Sequence, residues 1–538
     1  MSKVVLLAIN SKYVHSALSV WVLAKGISEY AHKAHDVEII EATIHQQDSE
    51  ISAAIATHKP DVVGISTYIW NAAKLPGLLK LLKEQLPNCI FVLGGPEASY
   101  NADYWLASGA DYVIHGEGER QLPVFLDALG DKNTGNHIHE STLTEQCNPL
   151  DPYNATYIST LKNRLAYLET SRGCPYSCAF CLSGESKLIF FPIQTAKEQL
   201  CKLSKSGART IKLIDRTFNI NPQRAYQLFE YVISLDTSCC FHFEVAADLF
   251  DERTLMLLNT APPGRIQFEA GLQSYHEPTL KAVSRKADLT KAEQNIKTLL
   301  VPGNIHIHVD LIAGLPHETL AIFKDSFDRA YKLGAHDLQL GFLKLLHGSS
   351  LRKQAGELGI LYQESPPYEI ISSSWLSVSD IRTLKQTENA LRHTHNKGRF
   401  LSTIKYVLFQ SADNKLKLRP FTLFHKLGEY CENHGLPLED YAKKIHDCFL
   451  TIPGIDKDAL ESCMICDWLA MVRGKNMPGF LRKPDTKRKQ TISAIEKKIG
   501  RTIGREEVAF LPSGKAVFVD VNDRDVVTGL YKLYPNPV

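Results

Sequence analysis

Three cysteines spaced as CxxxCxxC are the residues of this sequence with the clearest capacity for chemistry. Cys174, Cys178 and Cys181 lie in the stretch SRGCPYSCAFCLSG. Thiolates are the usual protein ligands of iron–sulfur clusters, and three on one loop can bind three irons of a cubane while the fourth iron stays open. The spacing therefore predicts a 4Fe–4S cluster whose open iron can bind a substrate or a cofactor.

Two other interpretations of these cysteines are a zinc site and buried structural thiols. Zinc motifs normally pair a CxxC with a second Cys or His pair, whereas this loop is an isolated CxxxCxxC. Its neighbours Gly173 and Pro175 are also untypical of a buried core segment. The cluster is favoured over both alternatives.

The cysteine loop follows the first strand of a predicted series of alternating strands and helices. The series comprises six βα units, fewer than the eight of a closed barrel, and so predicts a partial TIM-type (β/α)6 barrel. Its strands are predicted at residues 165–170, 210–215, 241–246, 265–271, 305–313 and 337–342. Because catalytic groups in barrels gather at the C-terminal strand ends, the loop stands at the expected end.

A separate alternating series precedes the barrel and predicts an α/β, doubly wound (Rossmann-like) domain over residues 1–135. Its five strands are predicted at residues 4–9, 37–40, 62–66, 89–93 and 112–115. Small or polar residues occur at or just after several strand ends, namely Ser66, Gly94, Gly95 and Gly116. Ligands in such sheets bind at the carboxyl ends of the strands, so these four residues are candidate binding positions.

The rest of the chain divides into a linker and a C-terminal domain. Residues 136–164 carry Gly, Asn, Thr, Pro and Asp and suit a linker, and the barrel is expected to occupy 165–347. Residues 348–538 are predicted to be mostly helical, with helices at 368–394 and 438–449 and a β-hairpin at 507–521.

Length and composition are those of a large globular protein. The 538 residues exceed what one hydrophobic core usually supports, and a formal net charge of +2 gives no global attraction to nucleic acid. The N-terminus lacks the pattern of a signal peptide, and no apolar run is long enough to cross a bilayer. Twelve cysteines in such a chain suggest metal binding or burial rather than disulfides, and we expect a cytoplasmic protein.

Two C-terminal features leave alternatives open. Cys463 and Cys466 form a lone CxxC, which favours buried helix cysteines over an auxiliary cluster or a redox pair. Residues 473–490 concentrate Arg and Lys, which is compatible with RNA contact, but charge runs usually form solvated surface and no RNA-binding motif accompanies this one.

In its cysteine loop the chain resembles the radical S-adenosylmethionine (SAM) superfamily. The resemblance implies that the open iron chelates the methionyl amino and carboxylate groups of SAM, and that one electron cleaves SAM to a 5′-deoxyadenosyl radical. Later motifs resemble the branch that includes oxygen-independent coproporphyrinogen dehydrogenase: FEAGLQS ends at Gln273 and Ser274, Arg285 follows, and HVDLIAGLPHET contains Asp310. That resemblance implies that Gln273 and Asp310 bind the ribose and Arg285 the methionyl carboxylate.

The strand-two and strand-three motifs are less clear. Glu244, in HFEVAAD, is a candidate SAM contact or a structural salt bridge. The glycine-rich motif that commonly contacts the methionyl amine is replaced by LIDRTFN at 213–219, where Asp215 or Thr217 could supply a contact.

A doubly wound domain before such a barrel resembles the cobalamin-binding-domain radical SAM enzymes, over roughly residues 1–345, and specifically an uncharacterised subfamily with a C-terminal helical extension. The resemblance implies that Ser66-Thr67, Gly94-Gly95-Pro96 and GEGE at 116–119 cradle a corrinoid. The cobalt-ligating DxHxxG motif is absent, and NSKYVHSAL stands in its place, so cobalt is expected to lack a protein His ligand despite His15. A ligand-free scaffold is the alternative.

The predicted function is methyl transfer from methylcobalamin to an unactivated centre of an unknown substrate. A cobalamin-assisted radical rearrangement or oxidation is one alternative, and a non-catalytic iron–sulfur or cobalamin sensor is another. The resemblance implies an external electron donor such as flavodoxin or ferredoxin. No side chain is assigned a catalytic role.

Overall fold

Two parallel six-stranded sheets, followed by a mainly helical C-terminal part, make up the architecture of the chain. The computed structural model describes residues 2–129, 137–138, 149–184, 186–413, 418–431, 435–471, 476–483 and 488–535. This arrangement confirms the predicted α/β fold class with its doubly wound domain, partial barrel and helical extension.

The N-terminal sheet has the strand order β2-β1-β3-β4-β5-β6, so its topological switch point lies between β1 and β3. The strands are β1 (Ser2–Asn10), β2 (His35–Thr43), β3 (Val62–Ser66), β4 (Ile90–Gly94), β5 (Tyr112–Ile114) and β6 (His137–Ile138). The helices are α1 (Leu18–Tyr30), α2 (Asp48–Thr57), α3 (Leu75–Gln85), α4 (Pro96–Tyr100), α5 (Ala102–Ala107) and α6 (Gly118–Asp127). Buried apolar side chains alternate along β1: Val4 and Leu6 join the core shared with the barrel, whereas Val5 and Leu7 join a second core on the opposite face. Both faces of this sheet are therefore covered, as a parallel sheet requires.

The sixth strand of this sheet was not predicted. β6 pairs with β5 through only two residues and falls within the stretch predicted as a linker. Of that linker, residues 136 and 139–148 lie outside the described residues.

The barrel sheet has the order β14-β13-β12-β11-β10-β7, with every neighbouring pair parallel. Its strands are β7 (Leu165–Leu168), β10 (Thr210–Leu213), β11 (Cys240–Val245), β12 (Ile266–Gln273), β13 (His306–Ala313) and β14 (Asp337–Phe342), and a small ribbon, β8 (Ser171–Arg172) with β9 (Ile189–Phe190), follows β7. The helices of this region are α7 (Ala155–Thr160), α8 (Ile193–Ser204), α9 (Pro222–Ser234), α10 (Glu252–Leu258), α11 (Glu277–Ala282), α12 (Leu289–Leu300) and α13 (Leu320–Tyr331). All six predicted strands are present.

Side-chain alternation makes the concave face of this sheet polar. Along β12, Phe268 is buried in the core, whereas Glu269 and Gln273 point to the opposite face. Along β13, Val309 is buried in the core and Asp310 shares the cavity with Glu269. The period of two therefore directs charged groups of neighbouring strands into one space.

The two outer strands of the open barrel are covered by other parts of the chain. At β7, the backbone N–H of Leu165 donates to the carbonyl of Val14 at 2.8 Å, from the loop after β1. At β14, the side chain of Asn396 accepts from the N–H of Leu338 at 3.1 Å and donates to its carbonyl at 2.9 Å. The N-terminal domain and the C-terminal part thus pair with opposite edges of the sheet.

The C-terminal part is mainly helical, as predicted, with more strand than predicted. Its elements are α14 (Ser350–Lys353), β15 (Leu361–Tyr362), β16 (Ile370–Ser372), α15 (Val378–His393), α16 (Leu401–Asp413), α17 (Pro420–Tyr430), α18 (Leu438–Leu450), α19 (Lys457–Met471), α20 (Arg488–Ile499), β17 (Val508–Phe510), β18 (Ala516–Arg524) and β19 (Tyr531–Pro535). The predicted helix 368–394 starts late, because Ile370 pairs with Tyr362 and a capping box at Ser377 begins α15. The predicted hairpin is present as β17 and β18, and β19 adds an unpredicted third strand. Within the described ranges, no helix is both long and apolar enough to cross a membrane.

The packing of α1 on the start of α6 depends on the absence of a side chain at Gly26. A Cβ added at Gly26 would lie 2.2 Å from the carbonyl oxygen of Glu119. We expect Gly26→Ala to force the helices apart at a cost of about 1–3 kcal/mol. Scanning calorimetry should show a lower midpoint for Gly26→Ala and an unchanged one for Gly356→Ala, since no atom of the described residues lies within 4 Å of a Cβ at Gly356. Equal midpoints for the two variants would contradict this interpretation of the contact.

Candidate functional site

A cavity opens at the C-terminal ends of the central barrel strands. All four residues predicted to contact SAM line this one space. Its lining comprises Arg216, Thr217, Glu244, Val245, Ala246, Glu269, Gly271, Gln273, Arg285 and Asp310. The structure therefore brings together side chains that are separated by up to 94 positions in the sequence.

Gln273 ends β12 in an unusual backbone conformation. Its φ is +68°, and the pairing of β12 with β13 shifts register between Gly271 and Gln273. A Cβ at Gly271 would lie 2.2 Å from the Gln273 Nε2, so glycine allows the amide to fold back over the strand. Its Oε1 is buried and has no hydrogen-bond partner among the described residues. A strained backbone that presents an unpaired polar atom to a cavity is typical of a binding position.

Arg285 reaches the same cavity from the loop after α11. Its Nη2 donates to the carbonyl of Gly271 at 2.7 Å, which fixes the guanidinium beside the Gln273 turn. Its Nη1 lies 3.8 Å from the Sγ of Cys178, and its buried Nε lacks a partner within the described part of the chain. The guanidinium therefore stands between the cavity and the cysteine loop with donor capacity left for an anionic ligand.

Asp310 lies on β13 at the base of the cavity. Its Oδ1 is 3.0 Å from the Nε2 of His308, two residues earlier on the same strand. Burial raises the pKa of the Asp310 carboxyl, and the nearby His308 opposes this rise. The pKa of His308 is itself raised, since the Asp310 contact outweighs the effect of its burial.

Glu244 and Glu269 share one lysine inside the barrel. Lys212 Nζ lies 3.3 Å from Glu244 Oε1 and 3.2 Å from Glu269 Oε2. Burial alone would raise the pKa of Glu269, but a 3.0 Å hydrogen bond with His242 and the Lys212 charge lower that pKa to about 2. Glu244 therefore lines the cavity and is also ion-paired to Lys212.

The cysteine loop is held at the cavity by the end of β10. Asp215 is buried and accepts hydrogen bonds from the N–H and hydroxyl of Thr170, at 3.0 and 2.7 Å, and from the Ser171 hydroxyl at 2.5 Å. Burial raises the pKa of Asp215 to about 6 despite these bonds. Asp215 therefore supports the chain just before the loop and does not line the cavity, whereas Thr217 does.

The thiols lie beside the cavity. Cys174 Sγ is 3.8 Å from the Thr217 hydroxyl, and the Ser183 N–H donates to Cys181 Sγ at 3.4 Å. Burial raises the pKa of Cys178, although the Arg285 charge acts against it. No three His, Cys, Asp or Glu side chains within the described ranges form a preassembled metal site. Assignment of the three thiols to a cluster therefore depends on their loop and on its position at the cavity.

The four predicted binding positions of the N-terminal sheet lie together at one edge, which is formed by the C-terminal ends of its strands. Ser66 and Gly94 are paired in register at the ends of β3 and β4, and the N–H of Thr67 donates to the Gly94 carbonyl at 2.8 Å. Gly95 has φ +100°, and a Cβ there would lie 2.8 Å from the Thr67 carbonyl oxygen. The Thr67 hydroxyl is buried without a partner among the residues the structure describes. Gly116, with φ +80°, turns the chain after β5 at this same edge.

His15, in the loop after β1, contacts the first strand of the barrel sheet. Its Nδ1 lies 2.5 Å from the Tyr167 hydroxyl, and its backbone bridges to Leu165 at the start of β7. Burial lowers the pKa of His15.

The C-terminal part also reaches both sides of the site. The hydroxyl of Tyr368 donates to the buried carboxyl of Glu97, next to the Gly94-Gly95-Pro96 turn. The N–H of Leu351 donates to the Ala179 carbonyl, inside the cysteine loop, at 2.9 Å. One segment of the chain therefore contacts the two predicted cofactor-binding loops.

Cys463 and Cys466 lie on α19, away from the loops just described. Both cysteines are half-buried on this helix, and burial raises the pKa of each thiol to about 11. Of the basic stretch 473–490, residues 473–475 and 484–487 lie outside the described residues.

Comparison with known families identifies the domains that contain the two sheets. The N-terminal region matches the B12-binding domain over residues 4–126, and the barrel matches the radical SAM superfamily over residues 168–330. The chain therefore contains a B12-binding domain followed by a radical SAM domain. Residues 356–508 of the chain match a further family described as a protein of unknown function, DUF4080. The two named domains confirm the predicted cofactors, namely a 4Fe–4S cluster, SAM and cobalamin.

Individual relatives share the same two regions. The chain is 25% identical over 331 residues to 2-(S-pantetheinyl)-carbapenam-3-carboxylate methyltransferase of Streptantibioticus cattleyicolor, covering 54% of this chain and 47% of the relative. It is 26% identical over 328 residues to the cobalamin-dependent radical SAM methyltransferase TokK of Streptomyces tokunonensis, covering 54% and 48%. This chain thus spans about half the length of the curated relatives it matches. The fold also resembles apo OxsB, a cobalamin-dependent S-adenosylmethionine radical enzyme, with TM-score 0.59, 14% identity and coverage of 87% and 78%.

Sequence reasoning missed several residues of the site. Glu269 and Arg216 line the cavity and were not singled out. Glu269 lies four residues before Gln273 on the same strand, so the period-two pattern could have indicated it. No local signal indicated Glu318, which supports the Gln273 turn from beneath.

Glu318 is a fully buried carboxyl behind the cavity wall. It accepts hydrogen bonds from the hydroxyls of Ser274 at 2.5 Å and Ser326 at 3.1 Å. Ser326 in turn accepts from the N–H of Tyr275 at 3.1 Å. Burial raises the pKa of Glu318 to about 7, because the hydrogen bonds only partly oppose the loss of water.

This raised pKa predicts a pH-dependent stability. The folded protein holds the Glu318 proton more tightly than the unfolded chain, so the stabilisation is complete below the unfolded pKa and is lost as pH rises through about 7. The full effect corresponds to about 3 kcal/mol. Glu318→Gln keeps an acceptor and cannot ionise, so its thermal midpoint relative to wild type should rise from about pH 5.5 to about pH 8. Exposed Glu357→Gln is the control, and a pH-independent difference for Glu318→Gln would refute the burial argument.

Proposed function

We propose that this protein is a cobalamin-dependent radical SAM methyltransferase. The single observation that carries the proposal is the shared cavity of Thr217, Gln273, Arg285 and Asp310, with Cys174 and Cys178 beside it. These residues come from separate strands and loops, so their convergence is a property of the fold. When bound, the cluster with SAM would supply radical formation, and cobalamin would supply the methyl group.

Each cavity residue has a proposed task that suits its chemistry. Arg285 would bind the methionyl carboxylate of SAM, because a guanidinium grips a carboxylate with two donors. Gln273 and Asp310 would accept or donate hydrogen bonds at the ribose hydroxyls. The unpaired buried Nε of Arg285 and Oε1 of Gln273, among the described residues, support these assignments.

The N-terminal edge is the proposed corrinoid site. Ser66, Gly94, Gly95 and Gly116 would allow the corrin ring and its nucleotide tail to approach backbone groups, as ligands do at the strand ends of doubly wound sheets. The unpaired Thr67 hydroxyl, buried among the described residues, would supply a hydrogen bond. We also propose the domain division that the sequence predicts, with domains at residues 1–135, 165–347 and 348–538 and a linker at 136–164.

The cell must supply a reductant for this chemistry. We therefore propose that an external electron donor such as flavodoxin or ferredoxin supplies the electron, and that the protein is located in the reducing cytoplasm. The eleven described cysteines are all free thiols, in agreement with a reducing compartment.

Anaerobic reconstitution tests the proposed function. The purified full chain would receive iron, sulfide, hydroxocobalamin and SAM, and its absorption and electron paramagnetic resonance (EPR) spectra would report both metals. We expect 5′-deoxyadenosine after reduction and, with a substrate, a product heavier by one methylene equivalent. Turnover without that mass gain would favour the alternative rearrangement or oxidation, and binding without 5′-deoxyadenosine would favour the sensor.

A residue-level prediction concerns Arg285→Lys. Lysine keeps the charge and loses the second donor, at a cost of about 1.5–3 kcal/mol for a charged hydrogen bond. The KM for SAM in 5′-deoxyadenosine formation should therefore rise about 10- to 100-fold.

The matched control for this prediction is Arg253→Lys. Arg253 is exposed and lies over the Tyr226 ring at 3.9 Å, outside the residues that line the cavity. Iron content and the cluster EPR signal must equal those of wild type in both variants, because Arg285 also contacts Cys178. An unchanged KM in Arg285→Lys with an intact cluster would remove this residue from the proposed SAM site.

A further inference from the structure

Arg172 joins the cysteine loop to the cobalamin-binding edge through one guanidinium. Its Nη1 donates to Glu117 Oε1 at 2.8 Å and to Glu119 Oε1 at 2.7 Å, both on the N-terminal domain. Its Nε and Nη2 donate to the two oxygens of Glu169 at 2.9 and 2.7 Å. A single side chain thus makes four charge-assisted hydrogen bonds, two of which cross to the N-terminal domain.

The residues of this ion-pair group lie next to the cysteine loop and to the turn at Gly116. Arg172 is two residues before Cys174, and the intervening Gly173 has φ +88° with space for no side chain, since its Cβ would lie 2.3 Å from the Lys187 carbonyl oxygen. Glu117 directly follows Gly116, one of the predicted corrinoid-binding positions. The ion pairs therefore connect residues next to both proposed cofactor sites.

The geometry of the group requires arginine. Three carboxylates surround one cation, and all four groups are mostly withdrawn from solvent, with side-chain exposures of 30% for Arg172 and 12–22% for the glutamates. A lysine ammonium has three donors at one point and cannot reproduce the planar fork that faces both sides. Glu117 Oε2 is buried and unpaired among the described residues, so this carboxyl depends on its bond to Arg172.

We propose that Arg172 is a positioning residue that couples assembly of the cluster loop to binding of cobalamin at the N-terminal edge. Cluster assembly fixes Cys174 and, through the short constrained connection, the backbone of Arg172. Fixing Arg172 orders Glu117 and the turn at Gly116. Cobalamin binding must likewise favour cluster assembly, because a coupling between two sites acts in both directions.

Arg164 provides a comparison within the same domain interface. It also crosses the interface, with its Nη2 2.7 Å from Glu41 Oε2 and its Nε 3.0 Å from the Tyr13 carbonyl. It precedes β7, however, whereas Arg172 follows it. Arg164 therefore holds the domains together without a hydrogen bond to the cysteine loop or to the turn at Gly116.

The test measures cobalamin affinity with and without the cluster. Equilibrium dialysis of hydroxocobalamin would be performed anaerobically on the full chain, either cluster-free or reconstituted with iron and sulfide. Wild type should bind hydroxocobalamin at least about fivefold more tightly when the cluster is present, the lower end of usual couplings. In Arg172→Gln this ratio should fall to about one, in Arg172→Lys it should recover only in part, and in Arg164→Gln it should equal that of wild type.

A second variant keeps the test decisive if Arg172→Gln fails to fold. Glu119→Gln removes the negative charge from one of the two bonds to the N-terminal domain and leaves Arg172 intact, so it should lower the ratio without abolishing it. Reciprocity adds a second readout: cobalamin should slow iron loss to a chelator in wild type, as followed by the cluster EPR signal, and should not do so in Arg172→Gln.

The inference rests on the proposed function, and the two fail differently. If wild type binds both cofactors with a ratio of one, or if Arg172→Gln keeps the wild-type ratio, the coupling is refuted while the proposed function stands. If Arg164→Gln lowers the ratio as much as Arg172→Gln, the effect belongs to domain docking in general and the assignment to Arg172 is wrong. If wild type binds no cobalamin in either state, the proposed function itself fails.

Discussion

The unpaired backbone groups at the two edges of an open barrel are the constraint on which the architecture depends. A closed barrel has no edge strands, but a sheet of six parallel strands leaves donors and acceptors exposed along β7 and β14. The chain covers one edge with the loop that follows the first strand of the N-terminal sheet. It covers the other with the amide of Asn396, which bonds to both backbone groups of Leu338 as a neighbouring strand would. Both flanking regions therefore complete the barrel.

This arrangement also places the two cofactor regions at one interface. β7 is bound to the N-terminal domain before its start, through Arg164, and after its end, through Arg172. The carboxyl ends of the barrel strands and the turn at Gly116 are thereby held close to each other. Inside the barrel, alternation along β12 and β13 directs Glu269, Gln273 and Asp310 into the cavity. A lysine and a histidine contact Glu269 there, and a second histidine contacts Asp310.

The fold and the first layer of the site follow from local sequence patterns. The cysteine spacing, the alternating strands and the small residues at strand ends each depend on neighbours within a few positions, so the sequence predicts them. The group formed by Arg172 and Glu117 joins residues 55 positions apart, and Glu318 bonds to Ser274 across 44 positions. Such pairs carry no local pattern, because the chain path that brings them together is set by the whole fold. Short strands such as β16 were missed for the same reason, since their pairing depends on a partner rather than on their own length.

The left-handed turn at Gln273 determines whether the conformational cost of ligand binding arises when the chain folds or when the ligand binds. The turn is supported by the buried carboxyl of Glu318, by Ser274 and by the absence of a side chain at Gly271. The unfavourable backbone angle is therefore accepted when the chain folds, and not when a ligand arrives. A ligand that binds the Gln273 amide in this conformation does not have to order the turn, so more of its interaction free energy contributes to affinity. Recognition at this strand end is consequently closer to lock-and-key than to induced fit.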